Sequence, residues 1–332
     1  MRVAVDALGT DSAPGPEVEG ALAALRDAGD RLEIVLIGDE PEIENELARH
    51  AGSVRRSQLS VLHAPDRILP SESPAQAVRR RPDSSIVRGI RLQKDGKVDA
   101  FVSAGSTGAV MAASLIFLRP LPGLDRPAIG TLLPTSRGAT LMLDAGANVD
   151  CKPRHLHQFA LLGQIYAQDL MGIETPRVAL LNIGEEPEKG DELALESHAL
   201  LRAESRLNFI GNVEGRDIIG GRCDVLVCDG FVGNVLLKFY ESVAEFIVSL
   251  LHREMERTGT QLDVHGAFRV LDYAEYGGAP LLGVNGVTII CHGSSTPRAV
   301  QNAIGVAVRA VDSQMVHHMA GELQKQGAEE GS

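Results

Sequence analysis

The stretch Asp99–Leu118, DAFVSAGSTGAVMAASLIFL, decides how this chain is built. From Ala100 to Leu118 it carries no charge, and as one helix it would be long enough to enter a bilayer. The interruption Ser103-Ala104-Gly105-Ser106-Thr107-Gly108 argues against that. Small residues and hydroxyls divide the run into a strand, a loop and a buried, Ala- and Met-rich helix. A strand feeding a helix through a glycine turn is half of a parallel α/β unit. The same turn can cradle an anion, because the first N–H groups of a helix lack internal partners and the helix dipole favours negative charge there.

Working outward, apolar runs alternate with helical patterns from end to end. RVAVD, EIVLIG, LSVLHA, DAFVS, AIGTLL, TLMLD, RVALLNI, LNFIGN, DVLVCD and GVTIICHG read as strands. Residues 16–28, 84–94, 153–171, 190–204 and 297–320 read as helices, the last with Thr296 as N-cap and Pro297 at the first helical position. This alternation predicts a three-layer α/β/α fold with a largely parallel sheet. No Pro- or Ser-rich linker divides the chain. A single catalytic α/β domain is expected over residues 1–322, with room for two lobes around a cleft, followed by a flexible tail over 323–332.

The turn at 99–108 has an echo. DAFVSAGSTG and DVLVCDGFVG (224–233) share Asp, Val, Gly and Gly at the same spacing. Either strand-to-helix turns simply need glycine, or the chain carries two cradles at the carboxyl ends of two strands. Other strands also end in polar residues near glycine, at Asp6, Asp144, Asn182 and His292.

Composition removes several classes. The net charge of −12 opposes non-specific nucleic-acid binding. Four cysteines with no C-x-x-C pair make no disulfide framework, and no long apolar signal core follows Met1. A cytoplasmic location is expected. G-x-G, P-loop, H-E-x-x-H and G-x-S-x-G patterns are all absent, and no cofactor or metal is expected. His155, His157, His317 and His318 are taken as helix-surface residues. Cys291 and His292 are neighbours on a strand and so face opposite ways; Cys291 is expected as core filling. His292 either stabilises a leaving group or bonds a backbone carbonyl. Asn234 and Lys238 lie four apart at the start of a helix, where Lys238 can lean back over the Gly230–Gly233 turn. Lys189 is either a surface lysine among acids or a second reaching cation.

The segments VDALGTDSAP, PDSSIVRGI, DAFVSAGSTGA, LDAGANVDCKPRHLHQFA, LLNIGEEPEKGDEL, NFIGNVEGRDI, CDGFVGNVLLK and YGGAPLLGVNGVTIICHGSS resemble the phosphate acyltransferase family of bacterial phospholipid synthesis. The resemblance runs in register from Met1 to about residue 310. It implies a fold similar to the isocitrate/isopropylmalate dehydrogenase and phosphate acetyltransferase group, and a homodimer. It implies transfer of a fatty acyl group from acyl carrier protein to inorganic phosphate. The acyl phosphate formed would serve a membrane glycerol-3-phosphate acyltransferase. The family's first motif carries a histidine where this chain has Ser12, so no role passes to that position.

On that resemblance, Ser106, Thr107, Gly108, Asn234 and Lys238 are expected to bind the phosphate and the developing oxyanion, with Ser103, Gly105 and Gly233 as further substrate-binding residues. Lys189 and His292 would orient phosphate or stabilise the thiolate, and Asp6 and Asn148 would orient these groups. The run RRRPDSSIVRGIRLQK (79–94) has six bases and one acid in an acidic chain. With Ile86, Val87 and Ile90 facing the core, Arg79, Arg80, Arg88 and Arg91 are expected to dock the acidic carrier protein. Residues 246–271 keep an apolar segment with few net bases, so membrane contact is expected to be peripheral at most.

Overall fold

The computed structural model describes residues 1–50, 56–259 and 276–330. The chain packs as two compact units. The first comprises Met1–Pro127, Gln168–Gly172 and Tyr276–Ser332; the second comprises Ala128–Ala167 and Ile173–Glu275.

In the first unit, β1 (Arg2–Asp6), β2 (Glu33–Gly38), β3 (Leu59–His63) and β4 (Ala100–Ser103) alternate with α1 (Gly15–Ala28), α2 (Glu40–Arg49), α3 (Pro74–Arg80), α4 (Ser85–Lys94) and α5 (Thr107–Phe117). β1, β2 and β4 are short apolar runs buried on both faces, as strands covered by helices must be, whereas β3 at the edge is only partly buried. The strand order β3-β2-β1-β4 is parallel throughout, with Val3 opposite Ile34 on one side and Ala100 on the other.

In the second unit, β5 (Ala128–Thr135) and β6 (Gly138–Leu143) form an antiparallel hairpin. Then come α6 (Pro153–Met171), β7 (Arg177–Leu181), α7 (Glu192–Ala203), β8 (Asn208–Val213), β9 (Val225–Val227) and the long α8 (Gly230–Thr258). The order is β5-β6-β9-β7-β8, parallel from β6 onward.

The chain then returns to the first unit with β10 (Ala279–Leu282), β11 (Val287–Ile290), α9 (Pro297–Asp312) and α10 (Met315–Glu330). β11 adds parallel to β4, and β10 pairs antiparallel to β11. Helix contacts here depend on missing side chains. A Cβ at Gly20 of α1 would lie 2.6 Å from the Pro297 carbonyl of α9, and one at Gly89 of α4 would lie 2.2 Å from the Phe101 ring.

All ten strands expected from the sequence are present; β10 was not anticipated. The helix expected over 297–320 breaks at Gln314, whose φ of 55° closes one helix before the next begins. The last helix runs to Glu330 and buries Leu323, so the span expected as tail begins as packed helix. His155 and His157 are buried rather than at the surface. His157 Nε2 lies 3.1 Å from the Glu204 carboxylate, and the His155 Nδ1 accepts from the Lys152 N–H at 3.1 Å. Among the described residues, no helix is long and apolar enough to cross a membrane.

Candidate active site

The carboxyl ends of β1, β4 and β11 lie side by side in the first unit, and most of its expected site residues sit there. Parallel strands present ligand sites at this edge. Asp6 ends β1 and is buried; it accepts the Ser103 hydroxyl at 2.6 Å and the Leu8 N–H at 3.0 Å. Ser103 Oγ in turn accepts the Gly105 N–H at 3.0 Å, which fixes the loop entering α5. A Cβ on Gly105 would lie 3.1 Å from Asp6 Oδ2, a tight contact to which the carboxylate would have to yield by a few tenths of an ångström. Burial pushes the Asp6 carboxyl above its ordinary range, opposed by the bonds from Ser103, Ser85 and Leu8.

Ser106 is the N-cap of α5 and accepts the Ala109 N–H at 3.4 Å. Its cap is neutral. The N–H groups of Thr107 and Gly108, at the first two positions of α5, have no acceptor within the helix, and Thr107 is exposed. Gly108 also permits close packing, since a Cβ there would meet Pro74 Cγ at 2.7 Å.

His292 leaves β11 beside this turn, and the Cys291 N–H donates to the Ser103 carbonyl at 2.8 Å. The Ser294 N–H donates to His292 Nδ1 at 3.2 Å, and the Ser294 hydroxyl lies 2.7 Å from the same nitrogen. Three further groups hold the loop after β1 in place. Buried Glu17 accepts the Thr10 N–H at 2.7 Å and its hydroxyl at 3.0 Å. Arg67 donates to the Gly9 and Thr10 carbonyls at 3.1 and 3.2 Å. The Asp11 N–H donates to the Gly293 carbonyl at 2.8 Å, tying the β1 loop to the β11 loop. Sequence reasoning missed Glu17 and Arg67. Glu17 hides in the first turn of an ordinary amphipathic helix, and Arg67 lies in a loop without periodicity.

The second unit builds a different cluster around Asp144, just past β6. Its carboxylate accepts the N–H groups of Ile129, Gly146, Ala147 and Asn148 at 3.0, 3.3, 3.1 and 2.7 Å, and the Asn148 side-chain amide at 3.0 Å. Burial raises its pKa, while these donors pull it back. Asn148 thus helps to organise this loop. The α8 start packs on the loop. A Cβ on Gly233 would fall 1.9 Å from the Asp144 carbonyl, and Asn234 lies against Gly146.

Two expectations for this unit need correction. The α8 start is capped by the Asp229 carboxylate, which accepts the Phe231 and Val232 N–H groups at 2.8 and 3.0 Å. A helix start already holding an anionic side chain is a poor second anion cradle. Lys238 does not lean back over the turn; its Nζ lies 2.9 Å from Glu241 Oε2, because an acid one turn on offers a partner on the same exposed face. Lys189 is exposed and has no carboxylate within ion-pair distance among the described residues, Glu185 being taken by Arg222.

Of the basic run, Ile86, Val87 and Ile90 are buried as expected, and Arg79 and Arg80 are exposed at the end of α3. Arg88 and Arg91 do not form a shared free patch. Arg88 binds Asp83 at 2.8 Å and the His63 carbonyl, while Arg91 lies over the Phe117 ring at 4.9 Å. Cys223 and Cys291 are buried with thiols pushed up to about 12, and Cys228 is raised well above the usual thiol range by the same desolvation. None is poised as a nucleophile.

Residues 1–318 match the family model described as "Fatty acid synthesis protein". A phosphate acyltransferase of Heliobacterium modesticaldum is 50% identical, covering 98% of this chain and 99% of that one. One from Desulforamulus reducens is 48% identical, covering 99% and 100%. In fold, the chain is similar to a phosphotransacetylase from Streptococcus pyogenes, with a TM-score of 0.62 at 18% identity and 94% of each chain covered. It is also similar to the EutD phosphotransacetylase from Staphylococcus aureus, with a TM-score of 0.60 at 17% identity and the same coverage. The mixed α/β architecture with its largely parallel sheets is therefore that of the phosphotransacetylases, and the chain belongs to the phosphate acyltransferase family of fatty acid and phospholipid synthesis.

Proposed function

We propose that this acyltransferase moves a fatty acyl group from acyl carrier protein to inorganic phosphate and releases an acyl phosphate. The observation that carries the proposal is the start of α5: a neutral Ser106 cap with the Thr107 and Gly108 N–H groups at the carboxyl edge of the sheet. A dianion is favoured there without any metal. A phosphate oxygen attacks the thioester carbonyl, the C–S bond breaks, and the carrier's thiolate leaves, with His292 the proposed group that stabilises it. No acyl-enzyme is needed, in keeping with the buried, raised thiols. In the second unit, Asn234 is a proposed hydrogen-bonding group, and Lys189 and Lys238 are proposed cations.

Arg79 and Arg80 are the proposed docking residues for the acidic carrier protein. The product, a reactive mixed anhydride, is proposed to pass to a membrane glycerol-3-phosphate acyltransferase. A second copy of the chain is the proposed occupant of the exposed stripe Phe231, Val235, Phe239, Phe246 and Leu250 on α8. These positions repeat near helical spacing. The bases nearby are partly offset, Arg257 pairing with Glu254 at 2.8 Å, which favours a protein partner over anionic lipid.

The test mixes purified protein with palmitoyl-acyl carrier protein and phosphate, trapping acyl phosphate with hydroxylamine. Product that saturates with phosphate supports the proposal. Equal or faster use of palmitoyl-coenzyme A would replace the donor. Full thioester cleavage in phosphate-free buffer would overturn the phosphate role.

A further inference from the structure

Away from this site, the end of α2 meets α1 at a set of donors with a different chemistry. In the segment ENELARH (44–50), Glu46 and His50 are four residues apart and share one helix face. His50 Nε2 lies 3.4 Å from Glu46 Oε1 and 4.0 Å from Oε1 of Glu19 on α1. One donor atom from each of the three residues falls within 4.8 Å of the others. Arg49 holds the second Glu46 oxygen at 2.7 Å, which leaves Oε1 directed at His50. The Nε2 atom is shielded from solvent.

These separations suit a small ion. Zinc bound tetrahedrally at about 2.0–2.1 Å places neighbouring donor atoms about 3.3–3.4 Å apart, which the His50–Glu46 pair already meets, so the exposed Glu19 side chain must close in by roughly 0.6 Å on His50 and by up to about 1.4 Å on Glu46. One imidazole with two carboxylates is a borderline donor set, matched to zinc, nickel or cobalt rather than to magnesium, which takes oxygen and water. Glu19 and His50 also line a cavity of about 530 Å³ together with Arg26, Arg298 and Gln301. A water or small anion has room there to fill a fourth position.

We propose that Glu19, Glu46 and His50 form a binding site for a divalent transition-metal ion of the zinc class, bridging α1 and α2 with its open position toward that cavity. Glu46 and His50 would clip the end of α2 to the middle of α1, outside the acyl-transfer machinery. The site stands or falls independently of the proposed reaction, because its readout is metal binding. The chelator-stripped full chain is titrated with zinc chloride by calorimetry. One equivalent per chain is expected to bind saturably, with no comparable heat from magnesium chloride. His50→Ala and Glu19→Gln should each weaken binding at least about tenfold. Unchanged melting of both variants in chelator would show that they fold. A cobalt(II) absorption band present in the wild type and lost in His50→Ala is the second expected readout. No saturable zinc binding, or zinc binding of wild-type strength in His50→Ala, would overturn the proposal.

Discussion

The starts of α5 and α8 carry glycines at the same spacing, yet the two helices begin in different registers. Gly105 precedes the Ser106 cap and Gly108 lies inside α5, whereas Gly230 follows the Asp229 cap and Gly233 lies a turn into α8. The Gly-x-x-Gly pattern therefore marks two sites of close packing, not two copies of one binding site. What separates them chemically is the cap. A hydroxyl leaves the helix end positive, while a carboxylate neutralises it.

Several substitutions press on that contrast. The largest effect on folding should come from Gly233→Ala, whose Cβ would fall 1.9 Å from the Asp144 carbonyl, a backbone atom that cannot move aside. A loss of about 3 kcal/mol or more is expected. Gly108→Ala meets a proline ring carbon at 2.7 Å and should cost less, about 1–2 kcal/mol. Urea melts of the two variants check the ranking, and equal losses would break the comparison.

For activity, Ser106→Asp gives α5 the kind of cap α8 already has. The helix should keep its stability while turnover drops about a hundredfold or more through repulsion of phosphate. The converse change, Asp229→Asn, should alter stability by no more than about 0.5 kcal/mol. Phosphate-dependent kinetics beside thermal melts would show whether the caps differ in function or only in charge.

The strand-end acids extend the contrast. Burial raises both Asp6 and Asp144 above 3.8, so each folded carboxyl holds its proton to higher pH than the unfolded one. Stability from this source is therefore greatest below the unfolded value and is lost as pH rises through the raised folded one. Asp6→Asn should flatten the stability profile above pH 3.8 at a cost of about 1–2 kcal/mol in lost bonds. Asp144→Asn should cost more, because five donors converge on a group that can no longer accept all of them. Urea melts from pH 4 to 7 would test both statements.

The smallest effects are expected away from both helix starts. Cys291→Ala should keep most of the activity, and a near-complete loss would revive a thiol intermediate. Arg79→Glu with Arg80→Glu should raise the KM for acyl carrier protein several-fold and flatten its salt dependence, leaving the KM for phosphate unchanged. Arg88 is left out of that pair because it holds Asp83 and the end of β3.

Periodicity made the strands legible, since a strand buried on both faces is an unbroken apolar run. β10 escaped because its APLL follows two glycines and contains a proline, which read as a turn. Of the candidate site, the Ser106 turn could be read directly, because its composition is local. The direction of Lys238 could not, although Glu241 is in plain view three residues on; choosing between two reachable partners needs the helix face. The Asp144 loop was equally hidden. It depends on Gly146 at a φ of 131° and on an N–H from Ile129, fifteen residues earlier in the chain.

One feature of the fold bears on synthesis. Ser103 and Cys291 are joined by a backbone bond on neighbouring strands, yet the whole second unit is translated between them. At about 5–20 residues per second, roughly 10–40 s pass before β11 can leave the ribosome and take its place. Throughout that interval one side of β4 has no partner strand, and the Ser106 turn lacks the neighbour that brings His292. Nascent chains stalled before residue 287 should therefore depend on chaperones to shield that edge, while chains released after α9 should not.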